Sequence, residues 1–168
     1  MNIQGVCDAK LKFLNIVAKW PGATHDSFIW TSCGLCAAFE AKEITGVWLL
    51  GDSGYGLRPW LLTPKLNPRT PGDRKYNACH KSTRCVIERA FGLWKMRFYR
   101  PLHLAPERAV AVVIATAILH NVCIEKNLPL PDIDEMDDND NYEEAIYNPD
   151  DNGSGNNVRE ELISRVFS

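Results

Sequence analysis

An α/β domain, a mixed sheet flanked by helices, is what the sequence predicts, and three observations carry that expectation. Short runs of residues suited to pleated, half-buried surfaces fill the first 63 positions, separated by turn formers. A long stretch from about Ala78 to Phe98 repeats its apolar residues at helical spacing. A second stretch, opened by Pro106, is apolar through its centre and long enough for a further helix. With 168 residues there is room for one domain with a real core and little for a second.

The elements follow in order. Ile3–Cys7 and Phe13–Trp20 are predicted strands on either side of Asp8-Ala9-Lys10, and Pro21-Gly22 ends the second. Asp26 or Ser27 can cap a helix reaching about Lys42, with Phe28, Leu35, Ala38 and Phe39 as inward candidates. Gly46 closes that segment. Val47-Trp48-Leu49-Leu50 is wholly apolar, as expected of a strand covered on both faces, and runs into the turn Gly51-Asp52-Ser53-Gly54. Leu61–Thr63 is a further short strand, and the proline-rich stretch Pro64–Gly72 a loop. In the helix that follows, Val86, Ile87, Ala90, Leu93 and Trp94 share one side, while Asn77, His80, Lys81, Arg84, Glu88 and Lys95 share the other. The helix from Pro106 to about Asn127 is apolar nearly all round between Val110 and Leu119, which predicts a buried centre. Three regions result: a domain over 1–127, an acidic, Asn- and Asp-rich linker over 128–157 without fixed structure, and a short amphipathic helix over 158–168 with Leu162, Ile163 and Val166 on one face.

Charge is divided unevenly. The net charge is −2, yet residues 1–126 hold 17 Lys and Arg against 9 Asp and Glu, while residues 127–168 hold 2 against 12. A basic body with an acidic tail suits a polyanionic partner for the body. The longest apolar run, Ala109–Leu119, falls short of the roughly 20 residues of a membrane span, and Met1-Asn2-Ile3-Gln4 does not resemble a secretory leader. Neither points to a membrane or to export. The six cysteines, several inside apolar or helical runs, are expected to be reduced thiols in an intracellular protein. Cys33-Gly-Leu-Cys36 is a lone C-x-x-C with no second pair at zinc-finger spacing.

Two carboxylates have positions that suit catalysis. Asp52 stands just past a buried strand, held by the sheet yet turned to an edge, as a metal ligand requires. Its alternative reading is a simple turn former. Glu88 lies on the polar side of the long helix, 36 positions later, and its alternative is an ion pair with Arg84 one turn earlier. Carboxylate oxygens are hard donors that suit Mg²⁺ or Mn²⁺, and such ions activate water in phosphodiester cleavage. His80, Arg84, Lys95, Arg97 and Arg100, with Phe91, Phe98 and Tyr99 interleaved, form a plausible DNA-backbone surface beside Glu88.

A family resemblance then joins these fragments. Trp20-Pro-Gly-Ala-Thr-His25-Asp26-Ser27, Leu49-Leu50-Gly51-Asp52-Ser53-Gly54-Tyr55, Leu62-Thr63-Pro64, the segment Asn77–Phe98 with His80, Arg84 and Glu88, and Leu119-His120-Asn121 together resemble the Harbinger transposase-derived nucleases. The Glu88 segment is the most specific of these, and the resemblance covers about residues 1–127 with a weaker echo in the last helix. It implies an RNase H-like fold of the DDE transposase and integrase type, with Asp52 and Glu88 as the second and third acidic ligands of a divalent metal (Mg²⁺ or Mn²⁺). It also implies DNA as the partner, allows a separate DNA-binding partner protein, and implies a nuclear location with the cytoplasm as a secondary one. In that family the first catalytic Asp lies on the strand before the one that begins here, and Val6-Cys7-Asp8 aligns with the second strand. Asp8 is therefore not the missing ligand. The domain is expected to be incomplete at its N-terminus and inactive alone. A rival reading, a non-catalytic DNA- or protein-binding remnant, stands beside the nuclease reading.

Overall fold

The computed structural model describes residues 2–20, 24–98, 105–129 and 153–168. In chain order its elements are β1 (Asn2–Cys7), β2 (Phe13–Trp20), α1 (Asp26–Thr31), α2 (Gly34–Glu40), β3 (Leu49–Leu50), β4 (Leu61–Leu62), α3 (Pro71–Phe98), α4 (Pro106–Glu125) and α5 (Gly153–Val166). They sort into two compact units, one formed by Met1–His25 and Cys85–Asp140, the other by Asp26–Arg84 and Asn141–Ser168. Helix α3 thus gives its first half to the second unit and its second half to the first.

In the first unit β1 and β2 form an antiparallel hairpin. Its turn is built by Asp8, whose Oδ1 accepts the N–H groups of Lys10 (2.8 Å) and Lys12 (3.0 Å). Leu11 is held there in the left-handed region at φ 69°, which a branched side chain seldom adopts. Behind the hairpin Phe13, Ala18, Ala90, Trp94, Val113 and Ala117 make a buried core. Phe13 is its hub, with ring centroids 5.3 Å from Phe91, 5.5 Å from Trp94 and 5.2 Å from His120. Gly5 faces Phe91 so closely that a Cβ would come within 2.8 Å of the ring.

The last turns of α4 grip the hairpin. His120, fully buried, bonds the Leu11 carbonyl at 2.8 Å, fixing the one strained residue of the turn. Asn121 accepts the Phe13 N–H and donates to the Phe13 carbonyl, both at 2.8 Å, as a neighbouring strand would. The Leu119-His120-Asn121 motif is thereby an anchor for a turn.

The second unit is built around a parallel pair, β3 and β4, with Leu49 opposite Leu61 and Leu50 opposite Leu62. Leu57, Leu61 and Leu62 are buried, as are Ile29, Trp30, Cys36 and Phe39 of the short helices. Phe39 stacks on Trp60 at 4.9 Å. The first half of α3 opens with a capping box: Thr70 Oγ1 accepts the Asp73 N–H (3.0 Å) while Asp73 Oδ2 accepts the Thr70 N–H (3.0 Å), with Pro71 at the first helical position. Helix α5 completes the unit. Gly155 lies against the Arg58 backbone, where a Cβ would meet main-chain atoms at 2.8–3.0 Å, and Glu160 pairs with Lys65 at 2.8 Å.

Several expectations need correction. The strands pair as two separate two-stranded sheets among the described residues. The helix expected from Asp26 to Lys42 is broken at Ser32-Cys33, because Cys33 turns extended and caps α2 with its sulfur, which accepts the Cys36 N–H at 3.4 Å. Phe28 is exposed, and Ile29 and Trp30 take its place inside. Val47 and Trp48 are also exposed, so the run before Asp52 is not covered on both faces and only Leu49–Leu50 are strand. Helix α3 begins seven residues before Ala78, and α5 begins at Gly153, inside the expected linker. The rest of that linker, 130–152, lies outside the described residues. The centre of α4 is not buried all round: Val113, Ala117 and His120 face inward, while Ile114, Ile118, Leu119 and Val122 are exposed. As a whole, Glu107–Glu125 is long and apolar enough by length and composition to cross a membrane, although its strictly apolar run is shorter.

Candidate metal and nucleic-acid site

Asp52 belongs to the second unit, where the chain leaves the parallel ladder. The Gly51 N–H still bonds the Leu62 carbonyl at 3.0 Å, and one residue later the backbone turns. Asp52 Oδ1 accepts the Gly54 N–H at 2.9 Å, and its carbonyl accepts the Tyr55 N–H at 3.3 Å. The carboxylate is half-buried, with Oδ1 committed to its own turn.

Every carbonyl of the strand end opposite Asp52 is held by a side chain. His80 bonds the Leu62 carbonyl through Nε2 at 3.1 Å. Tyr76 donates its hydroxyl to the Thr63 carbonyl at 2.9 Å, and burial pushes its phenol up to about 12. Arg159 of α5 reaches the Thr63 and Pro64 carbonyls at 3.4 and 3.3 Å. Asn77 accepts the Lys65 N–H and donates to the Lys65 carbonyl, both at 2.8 Å. Beyond them Asp73, buried, takes the Lys65 ammonium at 2.9 Å and the N–H groups of Arg69 and Thr70. These bonds hold its carboxyl far below the usual range.

His80 is only 4% exposed, which corrects its expected place on the solvent face of α3. Burial lowers its imidazole below the ordinary value against the Leu62 hydrogen bond; Arg84 and Arg159 lower it further, and Asp52 raises it. Asp52 and His80 are thus electrostatic neighbours within one unit. The neutral ring must carry its proton on Nε2, because a carbonyl can only accept.

Glu88 belongs to the first unit, on the second half of α3. It is half-buried and engaged, as is Arg84. Of the residues expected to meet DNA, Lys95 is exposed; Arg97 is half-buried and donates through Nη2 to the carbonyls of Leu128 (3.5 Å) and Pro129 (3.4 Å). Tyr99, Arg100 and the side chain of Phe98 lie outside the described residues. Among the described residues no three or more His, Cys, Asp or Glu side chains gather as a metal site would need.

The anchors His80, Tyr76, Asn77 and Arg159 were not singled out by sequence as structural. Two signals were available: Asn77 and His80 stand one turn apart on one face of α3, and Thr70-Pro71-Gly72-Asp73 has capping-box spacing.

Residues 1–121 match the family described as DDE superfamily endonuclease. The chain is 34% identical over 134 residues to the human protein named "Putative nuclease HARBI1", covering 76% of this chain and 38% of that protein. It is 30% identical over 174 residues to the Xenopus laevis protein of the same name, covering all of this chain and 50% of the relative. The Arabidopsis thaliana "Protein ALP1-like" is 26% identical over 145 residues, covering 74% and 35%. The chain therefore spans between about a third and a half of the length of these relatives. No solved structure matches it.

Proposed function

This chain belongs to the Harbinger transposase-derived DDE superfamily endonucleases, and on that premise we propose that it forms part of an RNase H-like, divalent-metal-dependent nuclease acting on DNA phosphodiester bonds. The observation that carries the reading is Asp52, fixed by its turn at the end of a parallel ladder inside the family-matched segment. Asp52 and Glu88 are the proposed ligands. Their carboxylates are hard oxygen donors, the chemistry Mg²⁺ and Mn²⁺ prefer, and Asp52 has Oδ2 outside its turn bond. A metal pair needs further anionic oxygen, from DNA phosphate or another acid, to offset its own repulsion.

The bound ion would supply an activated water and charge neutralisation at the phosphate. The chain's own residues orient and attract. The Asp52 turn presents one carboxylate oxygen in a fixed direction, and the exposure of Lys81, Arg89 and Lys95 on α3 supports a role for each at the DNA backbone, as proposed also for Arg84 and Arg97. His80 is too deeply buried for a phosphate contact and drops out of that set.

Mn²⁺ binding followed by electron paramagnetic resonance tests the ligand assignment. Asp52→Asn and Glu88→Gln should each weaken binding at least tenfold at unchanged melting temperature; parent-like affinity in both variants would refute it. The second reading, a metal-independent DNA-binding module, is favoured by the basic body and acidic tail. It expects duplex binding that falls steeply with salt, because neutralised phosphates release counterions, and that does not respond to Mn²⁺.

A further inference from the structure

We propose that His80 is the positioning residue for Asp52, acting through the Leu62 carbonyl, a role that rests on the reading of Asp52 as a metal ligand. One oxygen atom carries the argument. The Leu62 carbonyl accepts the Gly51 N–H at 3.0 Å and faces His80 Nε2 at 3.1 Å. Gly51 is the residue immediately before Asp52, so the imidazole and the amide one residue ahead of Asp52 share one acceptor.

The surroundings make this tie stiff. His80 projects from a 28-residue helix whose start is locked by the Thr70–Asp73 capping box. Its ring lies 5.8 Å from that of Tyr76, which holds the next carbonyl, Thr63. Leu62 is itself fully buried, so its carbonyl is fixed from both sides. The Gly51 amide therefore has one register relative to the first half of α3, and the Asp52 turn begins one residue after that fixed point. A ligand whose backbone is held in this way binds a cation without first ordering itself, which is what a supporting shell contributes to a metal site.

Other ties on this strand end do not reach Asp52 in the same way. Asn77 and Arg159 hold Lys65, Thr63 and Pro64, residues further from the ladder. His80 alone among these anchors shares an acceptor with the Gly51 amide. Its loss should be felt first at that amide.

The full chain tests this with two substitutions and one direct measurement. His80→Phe keeps a ring of similar volume and removes the N–H; His80→Gln keeps an N–H donor. The Gly51 amide should exchange at least tenfold faster in His80→Phe, and Mn²⁺ affinity should fall about tenfold, while amides of the β1–β2 hairpin are unchanged. His80→Gln should stay within about threefold of the parent in both. A His80→Phe variant with parent-like Gly51 exchange, or a His80→Gln variant as damaged as His80→Phe, would overturn the proposal. If His80→Phe does not fold, ¹⁵N spectra of the parent decide: an Nε2–H tautomer supports the tie and an Nδ1–H tautomer overturns it. A parent that binds no Mn²⁺ would remove the ligand reading of Asp52, whereas the Gly51 exchange still judges the positioning role by itself.

Discussion

The two units use the same hardware for different ends. Each has a helix that carries a buried His bonded to a backbone carbonyl, and an Asn whose amide pairs with both backbone groups of one residue. In the first unit these are His120 on Leu11 and Asn121 on Phe13; in the second they are His80 on Leu62 and Asn77 on Lys65. Each also has an Asp that folds a turn onto its own Oδ1, Asp8 and Asp52. The difference lies in what the anchor holds. In the first unit it pins a strained hairpin turn, and Asp8 spends its oxygen on two N–H groups. In the second it pins the ladder beside Asp52, which spends one oxygen on one N–H and stands at the ladder's end. An identical anchor thus serves stability in one place and presents a carboxylate in the other.

The largest expected effects concern the two cores. Phe13→Ala should cost about 3–5 kcal/mol and accelerate amide exchange first in the β1–β2 hairpin, and Phe39→Ala should cost a similar amount with exchange rising first in the second unit. Equal acceleration throughout the chain from either substitution would break the division on which the comparison rests. Next come the amide anchors. Asn121→Ala and Asn77→Ala each leave an N–H and a carbonyl without their partners, at about 2–3 kcal/mol by urea unfolding. Asn77→Ala should speed amide exchange first at Lys65 in the second unit, and Asn121→Ala first at Phe13 in the hairpin.

Smaller effects sharpen the contrast. Thr70→Ala removes the side-chain acceptor of the α3 capping box and should cost about 1 kcal/mol, with no effect on the hairpin. The smallest is a pH effect. Burial depresses both His80 and His120, so the unfolded chain takes up protons first as pH falls. Their contribution to stability is complete above about pH 6.5 and is lost as pH drops through the folded values. Asp52 raises His80, whereas Arg97 lowers His120. Asp52→Asn should therefore steepen the acid loss in the second unit and leave the first unit unchanged. Urea midpoints between pH 7.5 and 5, read by exchange at single amides, check this; an equal change in both units would contradict it.

The sequence by itself marked most of the elements, though not their bounds, and nominated the acids. Residues suited to a pleated surface marked β1 and β2, a one-sided helical repeat marked α3, and a long apolar run opened by Pro106 marked α4. Asp52 and Glu88 stood out through strand-end position, helix position and family resemblance. What only the tertiary structure decided is which polar residues turned inward. His80 shares a helical face with Lys81 and Arg84, yet it is buried because β4 offers a carbonyl within reach; Ile114 and Ile118 sit in an apolar run, yet both stay exposed among the described residues. Periodicity reports the hydrophobic side of a helix. It carries no signal for a side chain that seeks one backbone oxygen, because that acceptor is supplied by a distant segment and exists only once the chain has folded.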